Sequence, residues 1–158
     1  MIRIIKMEPR HRGRAYEILQ KTDMFTLAEI SVAMELIDTF LFNEEQKDYM
    51  AHVAEDDQAE MCGYVCYGPT PATEGTFDIY WIAVAPERQN QGIGTKLLHF
   101  VEQEITRQNG RLIVIETSSQ SKYAATLSFY QRNRYGLESR IADFYRPGDD
   151  RLIYIKHL

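Results

Sequence analysis

Histidine and cysteine are scarce, at four and two in 158 residues. His11, His52, His99 and His157 are scattered, no His-x-x-x-His pair occurs, and neither cysteine has partners at zinc-site spacing, so no metal is expected. Cys62 and Cys66 lie on a segment that reads as a strand, about 13 Å apart at about 3.3 Å per residue, beyond the roughly 7 Å a disulfide tolerates. They are expected to be buried free thiols. Positive charge is not in excess either. The net charge is −5 and the isoelectric point about 5.4, which argues against a nucleic-acid partner. No apolar run approaches the length of a membrane span, so no membrane partner is expected. The start, Met1-Ile2-Arg3-Ile4-Ile5-Lys6, is too short and too charged to read as an export signal, and a cytoplasmic location is the expectation. No internal repeat and no low-complexity segment interrupts the chain. A composition of 44% hydrophobic and 26% charged residues fits one globular domain over residues 1–158.

The hydrophobic pattern gives the elements in order. Ile2 to Met7 reads as a strand, and Pro9 suits the first turn of a helix striped by Ala15, Ile18 and Leu19, with Arg10, Arg12 and Arg14 toward solvent. Thr26-Leu27-Ala28-Glu29 matches a capping box, with Phe25 at the staple position, and opens a strongly apolar helix that ends near Asn43. Ile30, Met34, Ile37 and Leu41 stripe that helix. Tyr49 to Ala54 and Met61 to Tyr67 read as a hairpin around Glu55-Asp56-Asp57-Gln58. Thr76 to Val84 is a strand of aromatic and β-branched residues. Gly92 to Gln108 is a helix ended by Asn109-Gly110. Arg111 to Glu116, with Leu-Ile-Val-Ile, reads as a strand buried on both faces. Lys122 to Asn133 reads as a helix, and two strands follow, joined by the turn Arg146-Pro147-Gly148-Asp149-Asp150. Antiparallel hairpins mixed with strand–helix units give an α+β, or mixed α/β, class.

The chemistry centres on Trp81 to Leu98. An apolar strand runs into a polar loop, and Gly92 and Gly94 open an apolar helix. A helix leaves its first N–H groups without internal partners and carries partial positive charge at that end. Glycines there let an anion approach the backbone, so the stretch reads as a phosphate cradle. Lys96 follows Gly94-Thr95 at the wrong spacing for a Walker A loop, and Leu97 stands where a dinucleotide fingerprint needs a third small residue. A nucleotide-binding domain is therefore disfavoured.

What fits is Gln89-x-x-Gly92-x-Gly94. This resembles the acyl-CoA pyrophosphate loop of the GNAT superfamily of N-acetyltransferases, and the element order around it resembles that family along nearly the whole chain. The resemblance implies a mixed, mostly antiparallel sheet of about seven strands flanked by about four helices. It also implies acetyl-CoA as the acyl donor, held by the main chain of Ile82, Ala83 and Val84 and by the loop and helix start at Gln89, Asn90, Gln91, Gly92, Ile93, Gly94 and Thr95. Backbone donors suit a thioester carbonyl because they are fixed in advance. Ala124 to Tyr130 resembles the family helix that ends in a tyrosine near the CoA sulfur, which makes Tyr130 the candidate general acid. The alternative is that Phe129 and Tyr130 are both packed core aromatics.

Asp78 falls where several family members carry a catalytic glutamate. Strand alternation would put Asp78, Tyr80, Ile82 and Val84 on one face, with a water relay bridging roughly 13 Å. The competing reading of Asp78 is a local hydrogen bond near a strand start, and Tyr80 is a weaker alternative as relay or substrate-shaping group. Four positions depart from the family pattern. Tyr123 stands where Asn is common, Arg134-Tyr135 where Gly-Phe is common, and Gln91 where a basic residue or Gly is common; Arg88, Lys96 and Lys122 could supply the missing charge.

The acceptor is expected to be a primary amine on a small molecule or a protein, with the chain a monomer or a homodimer. From Asp23 to Glu60 there are eleven Asp/Glu and one Lys, a field that would steer cationic acceptors. The second reading is a non-catalytic acyl-CoA-binding sensor module, which would need the cradle but neither Asp78 nor Tyr130.

Overall fold

The computed structural model describes all 158 residues. Strand β1 (Arg3–Lys6) leads through a 3₁₀ turn at Pro9–His11 into helices α1 (Arg12–Lys21) and α2 (Leu27–Phe42). Strands β2 (Met50–Glu55), β3 (Met61–Pro69) and β4 (Thr76–Val84) follow, then α3 (Ile93–Arg107), β5 (Leu112–Ser118), α4 (Ala124–Arg132), β6 (Gly136–Arg146) and β7 (Asp149–His157). The seven strands form one sheet in the order β1-β2-β3-β4-β5-β7-β6. Every pairing is antiparallel except β4 with β5. This is the mixed α+β architecture expected from the sequence.

Helices cover both faces, but unequally. On one face α3 and α4 pack Ile93, Leu97, Val101 and Tyr130 against Phe77, Ile79, Ile113 and Ile115. On the other, α1 and α2 pack Ile18, Leu19, Ile30 and Ile37 against Val53, Tyr64 and Ala83, so they cover only the β2–β4 half. The edge strand β6 is exposed along its whole length. Cys62 and Cys66 are buried and free.

Local chemistry fixes the helix starts. Thr26 caps α2 by accepting from the Glu29 amide at 3.2 Å, and its hydroxyl donates to the Glu29 carboxylate. Phe25 packs against Trp81 of β4, with ring centroids 6.2 Å apart, and joins the apolar cluster that includes Ile30 of α2. At the start of α1, His11 is buried. The Glu8 amide donates to its Nδ1, so Nε2 carries the proton and donates to Glu55 at 2.7 Å. Arg10 adds an ion pair to the same carboxylate. Burial alone would raise the Glu55 pKa; the bonds from His11 and Arg10 outweigh it and hold the carboxyl below its ordinary value. Arg14 is not free in solvent as expected: it bridges Glu17 and Glu87.

Candidate active site

The site begins where two strands part. β4 and β5 pair from Thr76↔Leu112 to Ile79↔Ile115 and no further. Beyond that point β4 stays with β3 as far as Val84↔Gly63, while β5 stays with β7 as far as Ser118↔Arg151. A fork therefore opens between Tyr80–Val84 on one side and Glu116–Ser118 on the other. The cause is visible in the register. Cys66 pairs with Trp81 and Tyr67 with Ile79, which leaves Tyr80 as an extra residue on β4. A bulge of this kind bends and twists its strand and ends regular pairing.

The bulge also overturns the expected alternation. Phe77 and Ile79 face α3 and α4, so Asp78 faces the opposite way, and Tyr80 lies on that same α1/α2 face. Past the bulge the pattern is reset: Ile82 and Val84 pack toward α3, and Trp81 and Ala83 toward α1 and α2. Asp78 and Tyr80 therefore do not share a face with Ile82 and Val84. Asp78 sits in the closed part of the strand pair, opposite Gly68 and Val114, and accepts the Thr70 hydroxyl at 2.6 Å. Burial, with the Asp78 charge nearby, pushes the Tyr80 phenol up to about 12.

The main chain of β4 faces the fork at alternate residues. The Ala85 amide bonds the Cys62 carbonyl at 2.8 Å, which makes Val84–Gly63 a non-hydrogen-bonded pair. The amides and carbonyls of Ile82 and Val84 then point away from β3, into the fork. The Ala83 carbonyl points the other way; a Cβ on Gly63 would lie 2.7 Å from it. Of the three expected backbone contacts, Ile82 supplies a free amide and carbonyl, Val84 a free amide, and Ala83 belongs to the β3 ladder. Gln89 closes the fork's outer end by donating its side-chain amide to the Val84 carbonyl at 3.2 Å.

Next comes the start of α3. Gly92 is its N-cap at φ 76, with no side chain to cap the helix, and Asn90 is also left-handed at φ 60. The first helical bond is from the Lys96 amide to the Gly92 carbonyl. The amides of Ile93, Gly94 and Thr95 thus have no partner in the chain, and they sit at the positive end of the helix. Gln89, Asn90, Gln91 and Gly92 are exposed around them. The two glycines differ in cause. A Cβ on Gly92 would meet nothing within 4 Å, and its requirement is conformational; a Cβ on Gly94 would stand 3.0 Å from the Phe129 ring. Arg88 is not available as a counter-charge because it pairs with Asp56 at 2.9 Å. Lys96 and Lys122 are exposed, Lys122 over the Tyr123 ring.

Helix α4 closes the arrangement on the α3 side. Asn133 donates to the Phe129 carbonyl at 2.9 Å and lies 3.5 Å from the Thr95 hydroxyl, tying the end of α4 to the first turn of α3. Tyr130 is buried among Phe129, Tyr135 and Tyr154, and nothing in the chain hydrogen-bonds its hydroxyl. Burial pushes its phenol well above the ordinary value, so it stays protonated. The departures at the helix exit resolve structurally. Arg134 takes the left-handed conformation at φ 68, which favours Gly, and Tyr135 is buried where Phe is common, with its hydroxyl on Glu102. Tyr123 reaches the Met24 carbonyl at 3.1 Å, bridging α4 to the α1–α2 loop.

One charged residue at the fork escaped the sequence reading. Glu116 is the first β5 residue beyond the last β4–β5 pair, and its signal was a lone carboxylate closing an apolar strand run. A groove of about 920 Å³ between α1 and α2, beside Tyr16, Leu27, Met34 and Phe42, includes no residue of β4, β5 or α3. The strongly apolar α2 thus lines a groove away from the fork. No helix is long and apolar enough to cross a membrane.

A forked β4–β5 pair facing an uncapped, glycine-opened helix is the arrangement of an acyl-CoA-dependent acyltransferase. The sequence model of the acetyltransferase (GNAT) domain matches residues 47–135, more than half of the chain. The chain belongs to the GNAT acetyltransferases, and acetyl-CoA-dependent N-acetyl transfer is its class of reaction. Among solved structures it is similar to a GNAT-family protein from Desulfovibrio desulfuricans, with 41% identity, a TM-score of 0.94 and 99% of each chain covered. It is 28% identical over 125 residues to the S-(2-succino)cysteine N-acetyltransferase of Bacillus subtilis, covering 77% of this chain and 72% of that one. The PaiA N-acetyltransferase of Thermoplasma acidophilum, solved with coenzyme A, shares the fold at 17% identity and a TM-score of 0.75, covering 100% and 99% of the two chains.

Proposed function

We propose that the chain acetylates a primary amine, on a small molecule or a protein, by direct attack on acetyl-CoA. The observation that carries this is the conjunction of the fork with the unpaired amides at the start of α3. Those amides, with the loop Gln89 to Gly92, suit the donor's pyrophosphate, and Lys96 and Lys122 add charge. The amide and carbonyl of Ile82 and the amide of Val84 suit the acylated arm, and an amide fixed in advance stabilises charge developing on the thioester oxygen. As the amine nitrogen bonds the carbonyl carbon, the carbon–sulfur bond breaks, and Tyr130 gives its proton to the departing sulfur. A phenolate is unfavourable at so buried a site, so the hydroxyl is restored from solvent. The amine's proton leaves through water; Asp78, on the face opposite Ile82 and Val84, takes it only by such a relay, through the oxygen that Thr70 leaves free.

The ground for a cationic acceptor is weaker in three dimensions than in the sequence. Asp38 pairs with Arg12, Glu55 with Arg10, Asp56 with Arg88 and Asp57 with the N-terminal amine. The other seven acids of that stretch form no ion pair, so the negative field is reduced rather than removed, and the amine is the part of the reading put to the test. The test is a panel of amines with acetyl-CoA, read by release of free thiol. Release that depends on the amine is the expected result. Coenzyme A binding with no release for any amine would favour a binding module instead.

A further inference from the structure

The donor site lies on the α3/α4 face of the fork, so an acceptor must come from the other side. That side is open, because α1 and α2 stop at β4. Ile113 and Ile115 face α3 and α4, so Glu116, Ser118 and the paired Arg151 lie on the open side. Three groups converge there. Arg151 approaches Glu116 at 3.2 Å, Tyr145 donates its hydroxyl to Glu116 at 2.7 Å, and the Phe144 ring lies 5.0 Å from the Arg151 guanidinium.

This corner is built rather than incidental. β6 loses its pairing with β7 between Ile141 and Arg146, and the released residues arch over the sheet. Asp143 holds the arch in a left-handed conformation at φ 52, accepting the Gly148 amide at 2.6 Å while its own amide donates to Asp150 at 2.9 Å. The other acids of the tip are engaged within the chain: Asp149 by Ser118 and Gln120, Asp150 by Arg140. Arg151 is different. A guanidinium offers five N–H donors, yet Glu116 is its single carboxylate partner, and its Nε–H is buried with no acceptor.

We propose that this corner selects a zwitterionic acceptor, an α-amino acid or a close analogue: Arg151 takes the carboxylate, and Glu116, oriented by Tyr145, takes the ammonium. A carboxylate matches the guanidinium fork, and an amino acid carries its two charges at a separation that a Glu–Arg pair complements. Binding replaces one contact between Arg151 and Glu116 with two contacts to the ligand. It also sets the amine beside the first β5 residue past the fork, next to the fork-facing main chain of β4. The inference rests on the amine-acetyltransferase reading above and adds the substrate class.

The experiment compares α-amino acids with their decarboxylated amines as acceptors, in the wild type and in Arg151→Gln, Arg151→Lys and Glu116→Gln. The wild type should favour the amino acid by about 100-fold or more in kcat/KM, the range of a lost charged hydrogen-bonding partner. Arg151→Gln should raise the amino acid's KM at least about tenfold and change the decarboxylated amine's KM far less, with Arg151→Lys between wild type and Arg151→Gln. Unchanged coenzyme A affinity and thermal midpoint certify the fold of each variant. Equal use of both acceptor classes, or an Arg151→Gln loss shared equally by both, overturns the zwitterion while sparing the amine reading. Acetylation of no amine at all overturns both.

Discussion

Gly94→Ala separates two reasons for a glycine at the start of α3. If the residue is small so that an anion can approach, the added methyl blocks coenzyme A directly. The structure points the methyl elsewhere, 3.0 Å and 3.2 Å from two carbons of the Phe129 ring. Ordinary contact begins near 3.4 Å, so the ring or the first helical turn must yield by a few tenths of an ångström. Overpacking of this kind costs about 1–3 kcal/mol. In a chain of this length each kcal/mol lowers the thermal midpoint by about 2–4 °C. Coenzyme A affinity should fall as well, because the turn that shifts carries the unpaired amides. Phe129→Leu removes the opposing ring atoms. In the double variant the cost of the alanine should disappear, giving a coupling of at least about 1 kcal/mol in chemical denaturation, with affinity recovering alongside. Gly92→Ala is the contrasting case. Its methyl meets nothing, but φ 76 strains any L side chain by about 1–2 kcal/mol, and Phe129→Leu should not relieve it. Additive effects of Gly94→Ala and Phe129→Leu, or an affinity loss in Gly94→Ala that Phe129→Leu fails to restore, would return the methyl to the anion's path and refute the packing argument.

Three further outcomes are expected. Tyr130→Phe should lower turnover by roughly 10²–10⁴ while coenzyme A affinity, measured by calorimetric titration, holds; full activity would assign Tyr130 to packing alone. Arg134→Gly should stabilise the chain by about 0.5–1 kcal/mol in urea denaturation, since it relieves a left-handed arginine; a loss would place the strain elsewhere. His52 lies between Tyr67 and Phe100, and burial, with Lys6 nearby, pushes its pKa down from 6.5 to about 4. Between those values the unfolded chain binds the extra proton, so stability should fall as pH drops from 6.5 toward 4, and His52→Leu should flatten that slope.

The elements of this fold were legible because their signals are local. The Thr26 cap, the apolar helix opened by Gly92 and the Asn109-Gly110 stop each depend on neighbours in sequence, and each appears as read. The unpaired amides at the start of α3 were legible for the same reason, since a helix opened by Gly92 needs no tertiary information. The fork was not legible in the sequence, because its cause is a register fact. β4 packs apolar side chains on both faces, so the period of two that would betray an extra residue is hidden in Thr76 to Val84. Tyr80-Trp81 was the one hint: two adjacent bulky aromatics that both pack toward α1 and α2 cannot both satisfy strict alternation. Missing it misassigned the face shared by Asp78 and Val84, and any argument that carried a proton along that face. The same limit applies to charge. The acidic run from Asp23 to Glu60 is partly neutralised by Arg10, Arg12 and Arg88, which pair with Glu55, Asp38 and Asp56 from other segments of the chain. Glu116 looked unremarkable because its partners, Tyr145 and Arg151, come from the far end of the sequence. An acceptor site assembled from three strands leaves each residue without a neighbour to explain it, so a charged residue that interrupts an apolar strand is where long-range partners should be sought first.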